Sequence, residues 1–239
     1  MPLEVVEYKV GSEGYQNVAE YDRQRYEGPA NEYRVRVMAA AYRRMLGSLA
    51  GKHVLDVGCG TGRGVADFAR DAASVTGCDA SLDMLAFARR KVEGKPCTFI
   101  RSYAQKLPLP GDTFDVVTSL NFLHLFSLDT QRDMVTEMKR VLKPGGTLLL
   151  EFDNGLQLGV LGALKRWTGR ENGAMMPWEI NQIIGPGVRV IDIHGAVFPI
   201  FARLMWRFPN ISAQIEKAAY YPPCNRLAHR IYYKAVKER

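Results

Sequence analysis

Between Val54 and Gly64 the chain reads VLDVGCGTGRG. An apolar run enters Gly58-Cys59-Gly60-Thr61-Gly62, and an amphipathic stretch follows. Strand, glycine-rich turn and helix in that order form the opening unit of a parallel α/β sheet. Glycines at such a turn let the backbone bend sharply and approach a ligand closely. By itself the pattern could hold a dinucleotide or be no more than a tight loop. Three details sharpen it. The spacing is G-x-G-x-G, not the dinucleotide G-x-G-x-x-G. Asp56 stands just before the glycines, where its charge would repel a pyrophosphate and suit a cationic ammonium. Asp79 closes the next strand about twenty residues on, where a carboxylate can accept hydrogen bonds from both hydroxyls of a ribose. These charges fit a phosphate-free ligand better than they fit NAD.

The rhythm around the loop supports a doubly wound sheet. HVLDVG, SVTGCD, CTFIRS, TFDVVTSL and TLLLEF read as strands. GRGVADFARDA, LDMLAFARRKVEG (ending at Gly94) and LDTQRDMVTEMKRVL read as helices between them, the last starting at Asp129 or Thr130 and stopping before KPGG. Alternation of this kind predicts a parallel sheet with the first strand near its middle. Residues 1–50 are expected to form an N-terminal helical cap, with helices over Tyr15–Glu27 and Asn31–Leu49 punctuated by Gly28-Pro29. Residues 51–152 are the expected core. Residues 153–239 are expected to supply a helical lid and the last strands: a helix at PWEINQII, a strand at VRVIDIHG, a helix at ISAQIEKAAYY and a strand at HRIYYKAVK. The expectation is one α/β domain, Rossmann-like, with a seven-stranded sheet.

VLDVGCGTG, GCDASLDML, RSYAQKLPLPGDTFDVV, SLNFLHLF and RVLKPGGTLLL occur in this order over roughly Lys52 to Phe152. In these five segments the chain resembles the class I S-adenosylmethionine-dependent methyltransferases, in the small-molecule branch that includes the ubiquinone and menaquinone methyltransferases. The resemblance implies S-adenosylmethionine as methyl donor and S-adenosylhomocysteine as product. It implies that Gly58, Cys59 and Gly60 lie against the methionine moiety, with Asp56 toward its ammonium. Asp79 would bind the ribose, Ala80 and Met84 would border the adenine, and Ala104 and Gln105 would sit at the adenine edge. Ser119, Leu120 and Asn121 would face the sulfonium. The N-terminal helices would cover the site, with Tyr26 toward the cofactor and Tyr15 toward the substrate. The chain departs from the family at Tyr103, where an Asp often contacts the adenine amino group.

Other candidates have plainer readings beside the functional ones. His124, just past the fourth strand, could deprotonate an acceptor hydroxyl, line the substrate pocket or pack under the lid. Asp115 starts a strand and tidies the preceding turn. Cys59 is a small residue in a tight turn rather than a nucleophile. His194 and His229 read as structural or surface residues. The four cysteines form no C-x-x-C pair and no His cluster accompanies them, so neither a disulfide framework nor a metal site is expected and a reducing cytoplasm fits. The N-terminus lacks the apolar core of a signal peptide, and no apolar run is long enough for a transmembrane helix. A net charge of +7 permits an acidic partner. However, Lys and Arg are scattered, Pro223-Cys224 lies far from the fourth strand, and SLNF lacks the Asn-Pro-Pro-aromatic pattern, all of which weigh against nucleic acid. The apolar VFPIFARLMWRFP could wall a hydrophobic pocket or touch a membrane surface.

The reading is methyl transfer to oxygen, nitrogen or carbon of a small hydrophobic or aromatic acceptor. An RNA or protein methyltransferase, or a cofactor-binding scaffold without turnover, stays open beside it. Displacement at a sulfonium has a good leaving group already, so the absence of an obvious catalytic constellation does not count against it.

Overall fold

The computed structural model describes residues 17–155, 174–197, 208, 211 and 228–239. Tyr15, the ISAQIEKAAYY helix apart from Ile211, and VFPIFARLMWRFP apart from Val197 and Phe208 lie outside the described residues, as does most of the expected lid. The helices with both ends among the described residues are α1 (Val18–Tyr26), α2 (Pro29–Leu46), α3 (Arg63–Phe68), α4 (Leu82–Lys91), α5 (Leu128–Val141) and α6 (Pro177–Ile184), with a 3-10 turn at Leu123–Leu125. The strands are β1 (His53–Val57), β2 (Ser74–Asp79), β3 (Cys97–Arg101), β4 (Phe114–Ser119), β5 (Leu142–Asn154), β6 (Ala174–Met175), β7 (Val188–Ala196) and β8 (Arg230–Lys237).

Seven strands run in the order β3-β2-β1-β4-β5-β8-β7, and β6 pairs beside the end of β5. The first five strands are parallel, and β8 lies antiparallel between β5 and β7. β1 and β4 are thus neighbours inside the sheet, with their carboxyl ends at the point where the strand order reverses. Ligands bind at such a crevice in open α/β sheets.

Alternation along the strands assigns the two faces. Leu148, Leu150 and Phe152 of β5, with Ile231 and Tyr233 of β8, pack beneath Met134, Val135 and Met138 of α5 and Ile180 and Ile183 of α6. Leu149 and Tyr232, one residue out of phase, face Ala41 and Met45 of α2. Val54, Val75 and Val116 meet Val65 and Phe68 of α3 and Leu85 of α4. Both faces are covered, as a parallel sheet requires.

One expectation is corrected in detail, and two features go beyond the sequence reading. Ser127, not Asp129 or Thr130, caps α5, its side chain accepting the Thr130 N–H. The helix stops before KPGG as expected, but β5 already begins at Leu142, ahead of TLLLEF, and its register with β4 shifts between Phe114 and Val116, so the segment bulges and Gly145 takes a φ of 76°. The two-residue β6 had no signal of its own, because a strand that short has no periodicity to read.

Gly62 ties the glycine turn to the core. It caps α3 in the left-handed conformation, and a Cβ there would sit 2.7 Å from Ala88 Cβ on α4. Gly51 shares the positive φ but has open space around it. Gly51→Ala is therefore expected to show only the left-handed penalty, about 1–2 kcal/mol, and Gly62→Ala an additional overpacking cost of about 1–3 kcal/mol. Denaturant unfolding of the two variants checks this, and equal losses would contradict the packing assigned to Gly62.

Candidate active site

The glycine turn is fastened to β2 by its own backbone. The N–H groups of Gly58 and Cys59 both donate to the Cys78 carbonyl, at 2.8 and 3.0 Å. The Gly60 N–H donates to Asp79 Oδ2 at 2.9 Å, and the Ser81 N–H donates to Oδ1 at 2.9 Å. Asp79 is thereby fixed at the carboxyl end of β2 with lone pairs left for a ligand. Burial raises its carboxyl above the ordinary range, while the N–H groups of Ser81, Gly60 and Ala80 act in the opposite direction.

Asp56 lies one strand over and is almost wholly buried. Its Oδ1 accepts the Thr118 hydroxyl at 2.8 Å from β4. Burial pushes its carboxyl up to about 7, the Thr118 bond pulls it down, and the Asp79 charge raises it further. A cation at this end of the site would draw the proton off. Cys59, beside it, is held as a thiol first by burial and then by the two carboxylates, which removes the thiolate that nucleophilic chemistry would need.

Above the turn lies a partly open cleft of about 130 Å³. It gathers Tyr26, Asp56, Gly58, Cys59, Gly60, Leu120 and Asn121 from the residues singled out in the sequence. Asp79, Ala80, Met84, Ala104 and Gln105 are not among its lining residues. Met84 and Ala104 are buried and Ala80 is exposed. Ser119 is fully buried, and its hydroxyl donates to the Val57 carbonyl at 3.1 Å, so the side chain braces β4 against β1 instead of facing a ligand. Asn121 takes a left-handed φ of 54°, a conformation Asn tolerates better than most residues.

His124 does not line the cleft either. It sits on the 3-10 turn, and its Nδ1 is buried with no hydrogen-bond partner among the described residues. Burial first, with the nearby cations of Arg230 and Arg25, lowers its pKa to about 4 against the opposing pull of Asp153. Tyr103 is half exposed.

The sequence did not single out several residues the structure brings here. Phe122 lies directly on Gly58, with ring atoms 2.2–2.6 Å from where a Cβ would stand, which is why this position has to be glycine. Asp22 of α1 is buried against the turn. It accepts the Thr61 hydroxyl at 2.6 Å, Arg63 Nη2 at 2.9 Å and Lys91 Nζ at 3.1 Å. Burial alone would raise its carboxyl, and Arg63, Thr61 and Lys91 together hold it below the ordinary value. Arg63 also lies over the Tyr26 ring at 4.0 Å. Arg34 and Glu151 also line the cleft. Asp22 and Arg34 belong to no local motif, so only the folded contacts reveal them.

Residues 54–146 match the family described as methyltransferase domain. The chain is 40% identical over 102 residues to a fatty-acid O-methyltransferase of Mycolicibacterium smegmatis, covering 41% of this chain and 36% of that protein. It is 38% identical over 112 residues to a demethylmenaquinone methyltransferase of Tropheryma whipplei, covering 46% of each. The matched segment thus spans less than half the length of these relatives. Among solved structures, the fold is similar to magnesium protoporphyrin IX methyltransferase of Synechocystis with bound S-adenosylhomocysteine, at a TM-score of 0.63 and 21% identity over 94% of this chain and 96% of that one. It is also similar to an S-adenosylmethionine-dependent methyltransferase of Mesorhizobium loti, at 0.60 and 19% over 82% and 95%.

The raised Asp56 carboxyl gives a pH signature. A ligand ammonium favours the ionised form, so binding below about pH 7 must first release the Asp56 proton. S-adenosylhomocysteine affinity is expected to rise with pH and level off near neutrality, and Asp56→Asn should flatten the rise. Titrations from acid to neutral pH read this directly. A slope that persists unchanged in Asp56→Asn would remove Asp56 from the ammonium site.

Proposed function

We propose that this chain, whose residues 54–146 match a methyltransferase-domain family, is a class I methyltransferase that transfers a methyl group from S-adenosylmethionine to a small, largely apolar acceptor. The observation that carries the reading is the pair of carboxylates at the glycine turn: Asp79, bonded to the Gly60 N–H, and Asp56, which lines the cleft. Two carboxylates suit a ribose and an ammonium better than a pyrophosphate. In this reading Asp79 orients the ribose and Asp56 faces the ammonium. Gly58 lets the backbone approach the ligand.

The donor, when bound, supplies a methyl on a sulfur that leaves readily, so alignment and exclusion of water are the protein's share of the work. Tyr21, Tyr26, Met38 and Tyr42 wall the cleft for that purpose. His124 serves as a packing residue here, since a conjugate acid with a pKa near 4 cannot keep a proton taken from a hydroxyl. The apolar walls and the lipid and quinone names of the relatives support an acceptor of that general kind. A reducing cytoplasm suits the free Cys59, Cys78 and Cys97. No helix among the described residues is long and apolar enough to cross a membrane.

Incubation with methyl-labelled S-adenosylmethionine and a panel of long-chain acids, phenols and quinols tests the reading. Label is expected in a solvent-extractable small product. Label recovered in RNA or protein instead, with none in the extract, would overturn it.

A further inference from the structure

Around Arg34, which lines the cleft, positive charge outnumbers negative. Three guanidinium groups act on one another there, from Arg34 of α2, Arg25 of α1 and Arg230 of β8. Arg230 contacts Asp153, and its Nη1 stands 3.3 Å from Glu151 Oε1. Asp153 is thus taken by Arg230, and Glu151, whose oxygens have no hydrogen-bond partner among the described residues, is shared between Arg230 and Arg34 as a neighbouring charge. Neither Arg25 nor Arg34 takes part in an ion pair among the described residues. Arg25 Nη2 donates to Asn121 Oδ1 at 3.1 Å, and Arg34 Nη2 donates to the Arg25 carbonyl at 2.8 Å. Both partners are neutral. The Nε atoms of Arg25 and Arg34 are buried and have no hydrogen-bond partner among the described residues.

A half-buried guanidinium without an ion pair is costly, and such groups are paired in most structures. Arg34 also suffers repulsion. Burial and the charges of Arg25 and Arg230 lower its pKa, against the smaller opposing pull of Tyr26 and Glu151. An anionic ligand would relieve both penalties, and the planar fork of arginine is suited to bind its oxygens. The position narrows which ligand that is. Arg34 lines the same cleft as Leu120 and Asn121 at the end of β4, so a group it holds lies within the acceptor's reach of the glycine turn.

We propose that Arg34, supported by Arg25, is an anion-binding subsite that selects acceptors carrying an ionised oxygen, either a carboxylate or an acidic enol. The proposal rests on the methyltransferase reading and names the acceptor class within it. An acceptor that arrives ionised needs no general base, which agrees with the low basicity of His124. A neutral ester or ether of the same skeleton has no charge for the arginines to hold and binds more weakly.

The test is calorimetric, on protein saturated with S-adenosylhomocysteine. Decanoate is compared with methyl decanoate, and a hydroxynaphthoquinone that is ionised at neutral pH is compared with unhydroxylated naphthoquinone. At least one anion is expected to bind about tenfold or more tightly than its neutral partner, the scale of a charge-assisted hydrogen-bond pair. The pair that shows the preference identifies the source of the anion. Arg34→Leu should abolish that preference while leaving S-adenosylhomocysteine affinity within about threefold, less than one hydrogen bond's worth. Arg34→Lys, which keeps the charge and the fold but loses the fork, should retain part of it. Equal binding of anions and neutral partners would overturn the proposal. So would a loss of S-adenosylhomocysteine affinity in Arg34→Leu matching the loss for the anion, since the arginine would then serve the cofactor's own carboxylate. Failure of the wild-type protein to bind S-adenosylhomocysteine would strike the methyltransferase reading instead, and the same anion pairs on the free protein would still decide the subsite.

Discussion

The bond from the Gly60 N–H to Asp79 is the contact on which the site depends. It joins the turn after β1 to the end of β2, and the two donations from Gly58 and Cys59 to the Cys78 carbonyl repeat the connection one residue earlier. A glycine-rich turn without such ties would be free to take many conformations, and ordering it for a ligand would cost entropy at the moment of binding. Here the ordering is done by folding. Asp79 gains from the same contact, because N–H donors hold a buried carboxylate in place. Asp22 extends the construction outward. Its contacts to Thr61, Arg63 and Lys91 fix α1 over the turn, so that Tyr21 and Tyr26 close the cleft from above.

The cleft carries charge of both signs. Asp56, close enough to Asp79 to feel its charge, supplies a negative group beside the glycine turn. Arg34 lines the same cleft and supplies a positive one. A ligand's cationic group fits the first and an anionic group fits the second. Low dielectric makes both preferences stronger than they would be at the surface. The apolar walls do not discriminate by charge. They favour a hydrophobic body joining a ligand's reactive atom to the rest of its structure.

Much of this was legible in the residues. The order of strands and helices through β5, the central place of β1 and the positions of Asp56, Gly58, Gly60 and Asp79 follow from local pattern, because a parallel strand is a short apolar run and a ligand-binding turn is written in consecutive glycines. Tyr26, Leu120 and Asn121 reach the cleft as the family resemblance implies. Ser119 differs because alternation along β4 turns its side chain between strands. Arg34, Glu151 and Asp22 were illegible for one shared reason. Each is an ordinary charged residue in its own segment, and its role comes from partners tens of residues away: Asp22 meets Thr61, and Glu151 meets Arg230. The bulge at KPGG was illegible because Lys-Pro-Gly-Gly has no alternation to read, and the strand absorbs it by shifting register.

The central claim is that the Asp79-anchored turn is an S-adenosylmethionine site and not a dinucleotide site. Calorimetric titration of the purified protein with S-adenosylhomocysteine, with NAD in parallel, tests it most directly, and Asp79→Ala adds the residue-level arm. Micromolar binding of S-adenosylhomocysteine, none of NAD, and a loss of about tenfold or more in a folded Asp79→Ala variant are the results the structure predicts. Binding of NAD in place of S-adenosylhomocysteine, or an affinity indifferent to Asp79, would contradict it.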